Sequence, residues 1–351
     1  MMVGATTASR SLTGPARKVV RGWAAMAQGR DLESLEYPTP DLRDMDVRVA
    51  VGHCGLCFTD IHAIDDLYGI TEFPFVPGHE IAGVVEARGS DVVDLEVGDR
   101  VGIGWQGRSC GQCRWCVLGE EQLCLDIAGA SSCERHGGLA DAVTVDSRFA
   151  YRLPAGMAPD AAAVLMCAGV AVYAPLRRHV GDGSGRVAVY GVGGLGHLAI
   201  QFAHALGYEV TALSSSAAKE RDAIKLGASR FVVLGDRQRL RPFDYAFDLL
   251  LCTAHGDIDW QELTNAMDKR GRIVLVGFPD VSFNPTNLVA HELSIRGSLL
   301  GNHATVREML RFADEHGIKP NTEQLPMAQV NQAIARLKAG RARYRIVLSQ
   351  E

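Results

Sequence analysis

The chain has 351 residues, room for about two domains at ~150 residues each. Its 47% hydrophobic and 22% charged content is ordinary for a globular protein, and a net charge of -5 provides no basic footprint for nucleic acid or an anionic membrane. No apolar run is expected to approach the ~20 residues of a spanning helix, so neither nucleic acid nor a membrane is expected as a partner.

The first thirty residues hold no Asp or Glu but carry Arg10, Arg17, Lys18, Arg21 and Arg30 among Ser and Thr. That composition has a transit-peptide flavour. The simpler expectation is a frayed tail from Met1 to about Pro15, then a first strand over Lys18–Ala27. Asp46–Val51 alternates as D-V-R-V-A-V, which predicts a half-buried strand. Ile81–Glu86 and Asp99–Ile103 continue in short β-rich pieces between Gly-containing turns, suggesting a compact, partly closed β-domain. From Gly185 onward strands and helices alternate. Strands are expected at Val187–Tyr190, Glu209–Leu213, Phe231–Leu234, Tyr245–Leu251, Arg272–Val276 and Leu293–Ser298. Helices are expected at Leu195–Leu206, Ala217–Leu226 and Trp260–Lys269. Such alternation implies a parallel sheet covered on both faces. Amphipathic helices at Val306–Glu315 and Ala328–Lys338 and a strand at Tyr344–Leu348 complete the chain.

Nine cysteines are an odd number, and six sit where metal ligands make sense, which points to a reducing, cytoplasmic compartment rather than a disulfide framework. Cys110, Cys113, Cys116 and Cys124 form C-x2-C-x2-C-x7-C. Four thiolates on one Gly-bearing loop can close a tetrahedral zinc site, which leaves no position for substrate and is therefore structural. An iron-sulfur cluster is the rival occupant. A second constellation runs from Gly52 to His62 (G-H-C-G-L-C-F-T-D-I-H) and is answered by P-G-H-E at residues 77–80. Cys57 and His79, with Cys167 from L-M-C-A-G, supply the three ligands a catalytic zinc needs while a fourth position stays open. Cys54 is the rival ligand. Thr59 and His62 are suited to passing a proton, and Asp60 and Glu80 to orienting or tuning the ligands. The plain alternatives are packing for each lone Cys or His and solvation for each carboxylate.

Gly191, Gly193 and Gly196 spell G-x-G-x-x-G between a strand and a helix, where backbone N–H groups can approach a pyrophosphate. The next strand ends in Ser214-Ser215-Ser216 with Lys219 following. An Asp or Glu would stand there to bond an NAD ribose, whereas hydroxyls and an ammonium suit a 2′-phosphate, so NADPH is expected. The serines could instead cap the following helix.

Together these motifs resemble the zinc-dependent medium-chain alcohol dehydrogenase superfamily, and most closely its cinnamyl-alcohol-dehydrogenase-like branch of NADPH-dependent aldehyde reductases. The likeness runs from about Lys18 and includes V-P-G-H-E, V-G-D-R-V-G-I-G, G-V-G-G-L-G-H-L-A-I-Q-F-A, I-R-G-S and R-Y-R-I-V. It implies an α/β fold in which a Rossmann doubly wound parallel sheet (169–300) is inserted into a chaperonin-10-like (GroES-like) β-rich catalytic domain (1–168 and 301–351). It also implies two zinc ions per chain, one catalytic on Cys57, His79 and Cys167 and one structural in the four-cysteine loop. Further cofactor contacts are expected at Gly194, Leu195, Val276, Gly277 and Ser298, with Arg345 reaching the pyrophosphate. A homodimer joined near Leu293–Leu299 is expected. Phe58 departs from the family, which usually carries His or Arg after the zinc cysteine to contact the pyrophosphate; His53, where an aromatic residue is common, departs more mildly. Phe58, Trp105 and Met166 are the expected substrate-pocket residues.

The function so implied is reversible hydride transfer between NADPH and an aldehyde or primary alcohol, allylic or aromatic by family resemblance. Two rivals stand beside it: reduction of an iminium or activated C=C bond on the same scaffold, for which the Thr59–His62 relay is dispensable, and a non-catalytic zinc- and NADPH-binding protein.

Overall fold

The structure, a computed structural model, describes residues 17–129, 136–179, 185–234, 240, 243–255 and 258–350. The expected frayed tail, Met1 to about Pro15, lies outside these residues; of the thirty residues with the targeting flavour, 17–30 are described, and Val19–Ala25 there is a strand paired with Leu32–Pro38.

Seven strands drawn from both ends of the chain form one sheet, in the order Thr322–Pro326, Arg345–Ser349, Asp46–Gly55, Glu80–Arg88, Arg100–Ile103 and Ala150–Arg152, with Ala142–Asp146 also paired to Asp46–Gly55. The terminal strand runs antiparallel to Asp46–Gly55, with Val347 opposite Gly55. Asp46–Gly55 is not the half-buried strand its alternation predicted. Val47, Val49 and Val51 face the core, and Asp46 and Arg48 on the other side are covered too, Arg48 Nη2 donating to Pro40 O at 2.8 Å.

The second sheet has six parallel strands, in the order Arg230–Val233, Glu209–Ser214, Arg186–Tyr190, Phe247–Cys252, Met267–Leu275 and Ser294–Gly297. Chain order reverses between Arg186–Tyr190 and Phe247–Cys252, and ligands of doubly wound sheets bind in the crevice beyond such a reversal. Two expected helices are shorter than their pattern. The stretch Ala217–Leu226 is a 3-10 turn, Ala217–Lys219, followed by a helix over Glu220–Lys225. The helix at Trp260 ends at Ala266, and Met267–Lys269 belong to the next strand because Met267 pairs with Phe247 in the sheet.

Pro159–Arg178 is one 20-residue helical stretch with mean hydropathy 1.5, so by length and composition it could cross a membrane, contrary to the reading of the sequence. Here 89% of its apolar window is buried inside the protein. Leu165, Val172, Tyr173 and Leu176 pack in a core that also takes Ala82 and Tyr151 from the first sheet and Val187 and Val189 from the second. Each fully buried Leu or Val there contributes ~1.5–3 kcal/mol, and the helix joins the two sheets.

Candidate active site and metal centres

Cys57, His79, Glu80 and Cys167 bring one sulfur, nitrogen or oxygen atom each to within 4.8 Å of one another. Local structure explains each position. Cys57 is the N-cap of the helix Phe58–Ile64, and Asp60 Oδ2 accepts the Cys57 amide at 3.0 Å in a reciprocal capping arrangement. The other Asp60 oxygen accepts Gly78 N–H at 3.0 Å and His79 Nδ1 at 2.8 Å. Cys167 lies in a π-helical turn, Leu165–Gly169, inserted between the helices Pro159–Val164 and Val170–His179, and such turns re-aim side chains at functional sites. Gly55 is required by the carboxylate: a Cβ there would stand 2.2 Å from Glu80 Oε2. Cys54, the rival ligand, is fully buried among Val51, Ile81 and Leu139 and stands outside the cluster.

The electrostatics of this cluster suit a metal. Because Nδ1–H of His79 is committed to Asp60, Nε2 is the face left over, and it is buried without a hydrogen-bond partner among the described residues. Burial opposes charging of His79, but the charge and hydrogen bond of Asp60, with Cys57 alongside, outweigh it and raise the imidazole to about 10. Sharing a proton with Cys167 lowers Cys57 well below the ordinary thiol range against its burial, with help from His79 and Arg345, and the same contact together with burial raises Cys167. One proton between two thiols leaves Cys57 as the thiolate. A divalent cation would displace the remaining protons from these donors. The donor set, an orphaned imidazole nitrogen and two facing thiols, therefore fits zinc.

In the four-cysteine loop the sulfurs are 3.6 Å apart for Cys110–Cys124 and Cys113–Cys116, and 4.0 Å apart for Cys110–Cys116 and Cys113–Cys124. These are far beyond the ~2.05 Å of a disulfide, and every cysteine among the described residues is free. Backbone amides point at the sulfurs: Cys113 N–H to Cys110, and Cys110 and Asp126 N–H to Cys124, each at 3.3 Å. The amides of Cys116 and Leu125 lower Cys113 to about 6. All four sulfurs lie within 4.8 Å of one another.

The glycine loop follows Arg186–Tyr190 and opens the helix Gly196–Ala205. Gly196 admits nothing larger, since a Cβ would fall 1.7 Å from Gly191 O, whereas a Cβ on Gly193 would meet nothing within 4 Å. Gly277 is buried against Ala254 O, Val276 N–H donates to Cys252 O at 3.0 Å, and Ser298 N–H donates to Leu275 O at 3.0 Å, so all three line the strand ends at the crevice. Ser214 is buried and its Oγ accepts Ser216 N–H at 3.2 Å; Ser215 is exposed, and Lys219 is half-buried. Leu195 packs against the core at the helix start. Arg345 sits beside Gly194, where an added Cβ would come 2.9 Å from its guanidinium, and it pairs with the buried Glu80. The expected pyrophosphate contact is thus already engaged with the metal-side carboxylate.

Residues 43–155 match the alcohol dehydrogenase GroES-like domain and residues 194–315 the zinc-binding dehydrogenase domain. Over 320 residues the chain is 41% identical to a probable formaldehyde dehydrogenase of Bacillus subtilis, covering 88% of this chain and 90% of that one. It belongs to the zinc-dependent medium-chain alcohol dehydrogenases. Within this family it falls in the cinnamyl-alcohol-dehydrogenase-like branch: it is 35% identical to the aldehyde reductase of Synechocystis over 94% of this chain and 99% of that one. The fold superposes on a cinnamyl alcohol dehydrogenase from Sorghum bicolor with a TM-score of 0.90 at 33% identity, covering 95% of this chain and 98% of that one. A Helicobacter pylori cinnamyl alcohol dehydrogenase complexed with NADP(H) gives 0.86 at 26% identity, covering 95% and 99%.

In this NADP-dependent alcohol dehydrogenase, Thr59 Oγ1 lies 3.6 Å from Cys57 Sγ and His62 follows one helical turn later, its Nδ1 3.4 Å from Tyr68 OH. Phe58 is 39% exposed, with its ring 6.3 Å from His62 and 6.0 Å from His255. His255 was not singled out from the sequence. It follows the strand Phe247–Cys252 at the reversal point, and that position was the available signal. Partial burial, then the nearby His62, lowers its pKa. Trp105 is half-buried just after the strand Arg100–Ile103. Met166 is not a pocket wall: it is 1% exposed and packs where Gly102 and Gly104 leave room, a Cβ on Gly102 coming 2.6 Å from its Sδ. The π-turn that turns Cys167 toward the cluster puts its neighbour into the core.

Proposed function

We propose that this enzyme transfers hydride reversibly between NADPH and an aldehyde or primary alcohol, with allylic or aromatic substrates preferred. A catalytic zinc is held by Cys57, His79 and Cys167, and a second, structural zinc by Cys110, Cys113, Cys116 and Cys124. The observation that carries this reading is the buried His79 Nε2, without a partner among the described residues and grouped with the sulfurs of Cys57 and Cys167 while Asp60 fixes the opposite ring nitrogen. The substrate preference draws on the cinnamyl alcohol dehydrogenase of Sorghum.

When bound, zinc supplies Lewis acidity toward the carbonyl oxygen and NADPH supplies the hydride. Thr59 donates a proton from Oγ1 to the oxygen that becomes the alcohol, and His62, three residues on along the same helix face, restores that proton from solvent. Asp60 keeps His79 in one tautomer and orientation. Glu80, paired with Arg345, sets the charge beside the ligands. Phe58 and Trp105 form apolar surface at the cleft. In the oxidative direction the same groups run in reverse.

The domains are assigned as 1–168 with 301–351 for catalysis and 169–300 for the cofactor. A homodimer joined through the edge strand Ser294–Gly297 fits the exposed Phe278, Val289 and Leu299 near that edge, and a reducing cytoplasm suits six thiol ligands. The test is steady-state absorbance with zinc-replete protein and a panel of aliphatic, allylic and aromatic aldehydes, each with NADPH and with NADH. Preferential NADPH oxidation by aromatic or allylic aldehydes, slowed about 10²-fold or more in Thr59→Val with zinc retained, is the expected result. Turnover of imines or activated alkenes alone, indifferent to Thr59→Val, overturns it, as does stoichiometric binding without any turnover.

A further inference from the structure

Arg343 stands just before the terminal strand Arg345–Ser349 of the catalytic sheet, yet its side chain crosses to the cofactor side. Its Nη2 donates to Asp222 Oδ2 at 2.6 Å, and the same oxygen accepts Tyr344 OH at 2.9 Å. Asp222 lies on the helix Glu220–Lys225, three residues after Lys219, and the 3-10 turn Ala217–Lys219 separates that helix from Ser215 and Ser216 at the end of the strand Glu209–Ser214. The Arg343 backbone is pinned from below, its amide donating to Glu323 Oε1 at 2.7 Å. Tyr344 is fixed as well, its ring stacked on His197 at 4.9 Å with 12° between planes. The guanidinium is therefore held in place, while 66% of the side chain remains exposed. A guanidinium offers five donors, and Asp222 takes one of them.

We propose that Arg343 is a cofactor-selecting residue: with Lys219 and the hydroxyls of Ser215 and Ser216 it holds the adenosine 2′-phosphate of NADPH, reaching it from the catalytic sheet. The inference rests on the NADPH reading and adds to it a contact outside the Rossmann unit. Burial, and then the positive charge of Arg343, lower the pKa of Lys219, so the two cations stand close enough to repel each other in the free protein. A phosphate dianion between them relieves that repulsion and accepts charge-assisted hydrogen bonds from both. NADH offers nothing at that position and leaves the repulsion in place. Planar guanidinium geometry suits a phosphate better than a second lysine would. Because Lys219 follows a strand of the parallel sheet and Arg343 precedes the terminal strand of the catalytic sheet, the 2′-phosphate also bridges the seam between them.

The test uses the full-length zinc-replete enzyme and calorimetric titration with adenosine 2′,5′-bisphosphate and, separately, adenosine 5′-monophosphate. Arg343→Ala leaves the Asp222 carboxylate without its cationic partner, held by Tyr344 OH, so Asp222→Asn and the double variant are measured with it, and melting temperatures check folding. The expected result is a loss of about tenfold or more in bisphosphate affinity for Arg343→Ala and for the double variant, the scale of one charge-assisted hydrogen bond. Monophosphate affinity should stay within about twofold, because that nucleotide carries no 2′-phosphate. A double variant that binds the bisphosphate as tightly as the unmodified enzyme overturns the proposal, because the single-variant loss is then repulsion from bare Asp222. Equal losses for both nucleotides overturn it too, by showing a general structural effect. An unmodified enzyme that does not prefer the bisphosphate removes the NADPH reading itself, whereas a clear preference that survives in both Arg343 variants removes only the role of Arg343.

Discussion

Asp60 Oδ1 accepts the Nδ1 proton of His79 at 2.8 Å, and through its other oxygen the same carboxylate caps the amide of Cys57. One 2%-exposed side chain thus holds two of the three proposed zinc ligands and decides which imidazole nitrogen faces them. Asp60→Ala should weaken catalytic-zinc affinity about 10–100-fold, the usual cost of losing a carboxylate behind a ligating histidine. Zinc release to a competing chelator, followed against time, measures it. The four-cysteine loop should keep its metal in the same experiment.

The four-cysteine loop gives an independent count. Elemental analysis should find two zinc ions per chain, and Cys116→Ala should leave one and lower the melting temperature by several degrees. Iron in place of zinc, or one metal in the unmodified protein, would contradict the assignment of this loop.

Phe58 puts an apolar ring where a donor to the cofactor pyrophosphate is usual in the family, with His62 and His255 on either side of it. Phe58→Arg should lower KM for NADPH and NADH alike, by about tenfold. A fall in kcat alongside would indicate that cofactor release limits turnover in the altered enzyme. The pyrophosphate is common to both cofactors, so this variant should leave their ratio unchanged, in contrast to Arg343→Ala.

His197 carries a pH-dependent share of stability. It is fully buried, its Nδ1–H donates to Gly193 O at 2.9 Å, and its Nε2 accepts Asn321 N–H at 3.2 Å, so both ring nitrogens are committed with the ring neutral. Burial, partly offset by the glycine-loop backbone, pushes its pKa down to about 4. The unfolded chain binds a proton near pH 6.5 and the folded one does not, so this contribution is present above pH 6.5 and is lost as pH falls toward 4. Its full size is up to about 3 kcal/mol. Denaturant unfolding at pH 7 and pH 5 should show a smaller pH dependence in His197→Gln than in the unmodified protein. Equal slopes would remove His197 as the source.

The fold and most of the candidate chemistry were legible because they rest on local patterns. The strand–glycine–helix order, the alternation of strands and helices, the spacing of Cys110, Cys113, Cys116 and Cys124, and the absence of an acid after the second Rossmann strand are all contiguous in the chain. The Thr-Asp turn after Cys57 favoured it over Cys54, three residues earlier, but left Cys54 a rival; the helix that begins at Phe58 separates them, with Cys57 grouped beside His79 and Cys54 in the core. Nor could it separate Met166 from Cys167, since that depends on a π-turn whose extra residue has no signature in L-M-C-A-G.

The sequence by itself determined the donor types, the cofactor loop and the order of the two folding units, because these depend on residue chemistry and near-neighbour periodicity. Tertiary structure alone decided the contacts that join distant segments: Arg345 on Glu80, His197 on Asn321, Arg343 on Asp222, and His255 beside Phe58. The terminal strand enters the catalytic sheet beside Asp46–Gly55, and that pairing across nearly 300 residues carries Arg343 to Asp222 and Arg345 to Glu80 and Gly194. No periodicity encodes such a meeting, because it exists only once both sheets have closed on the helix between them.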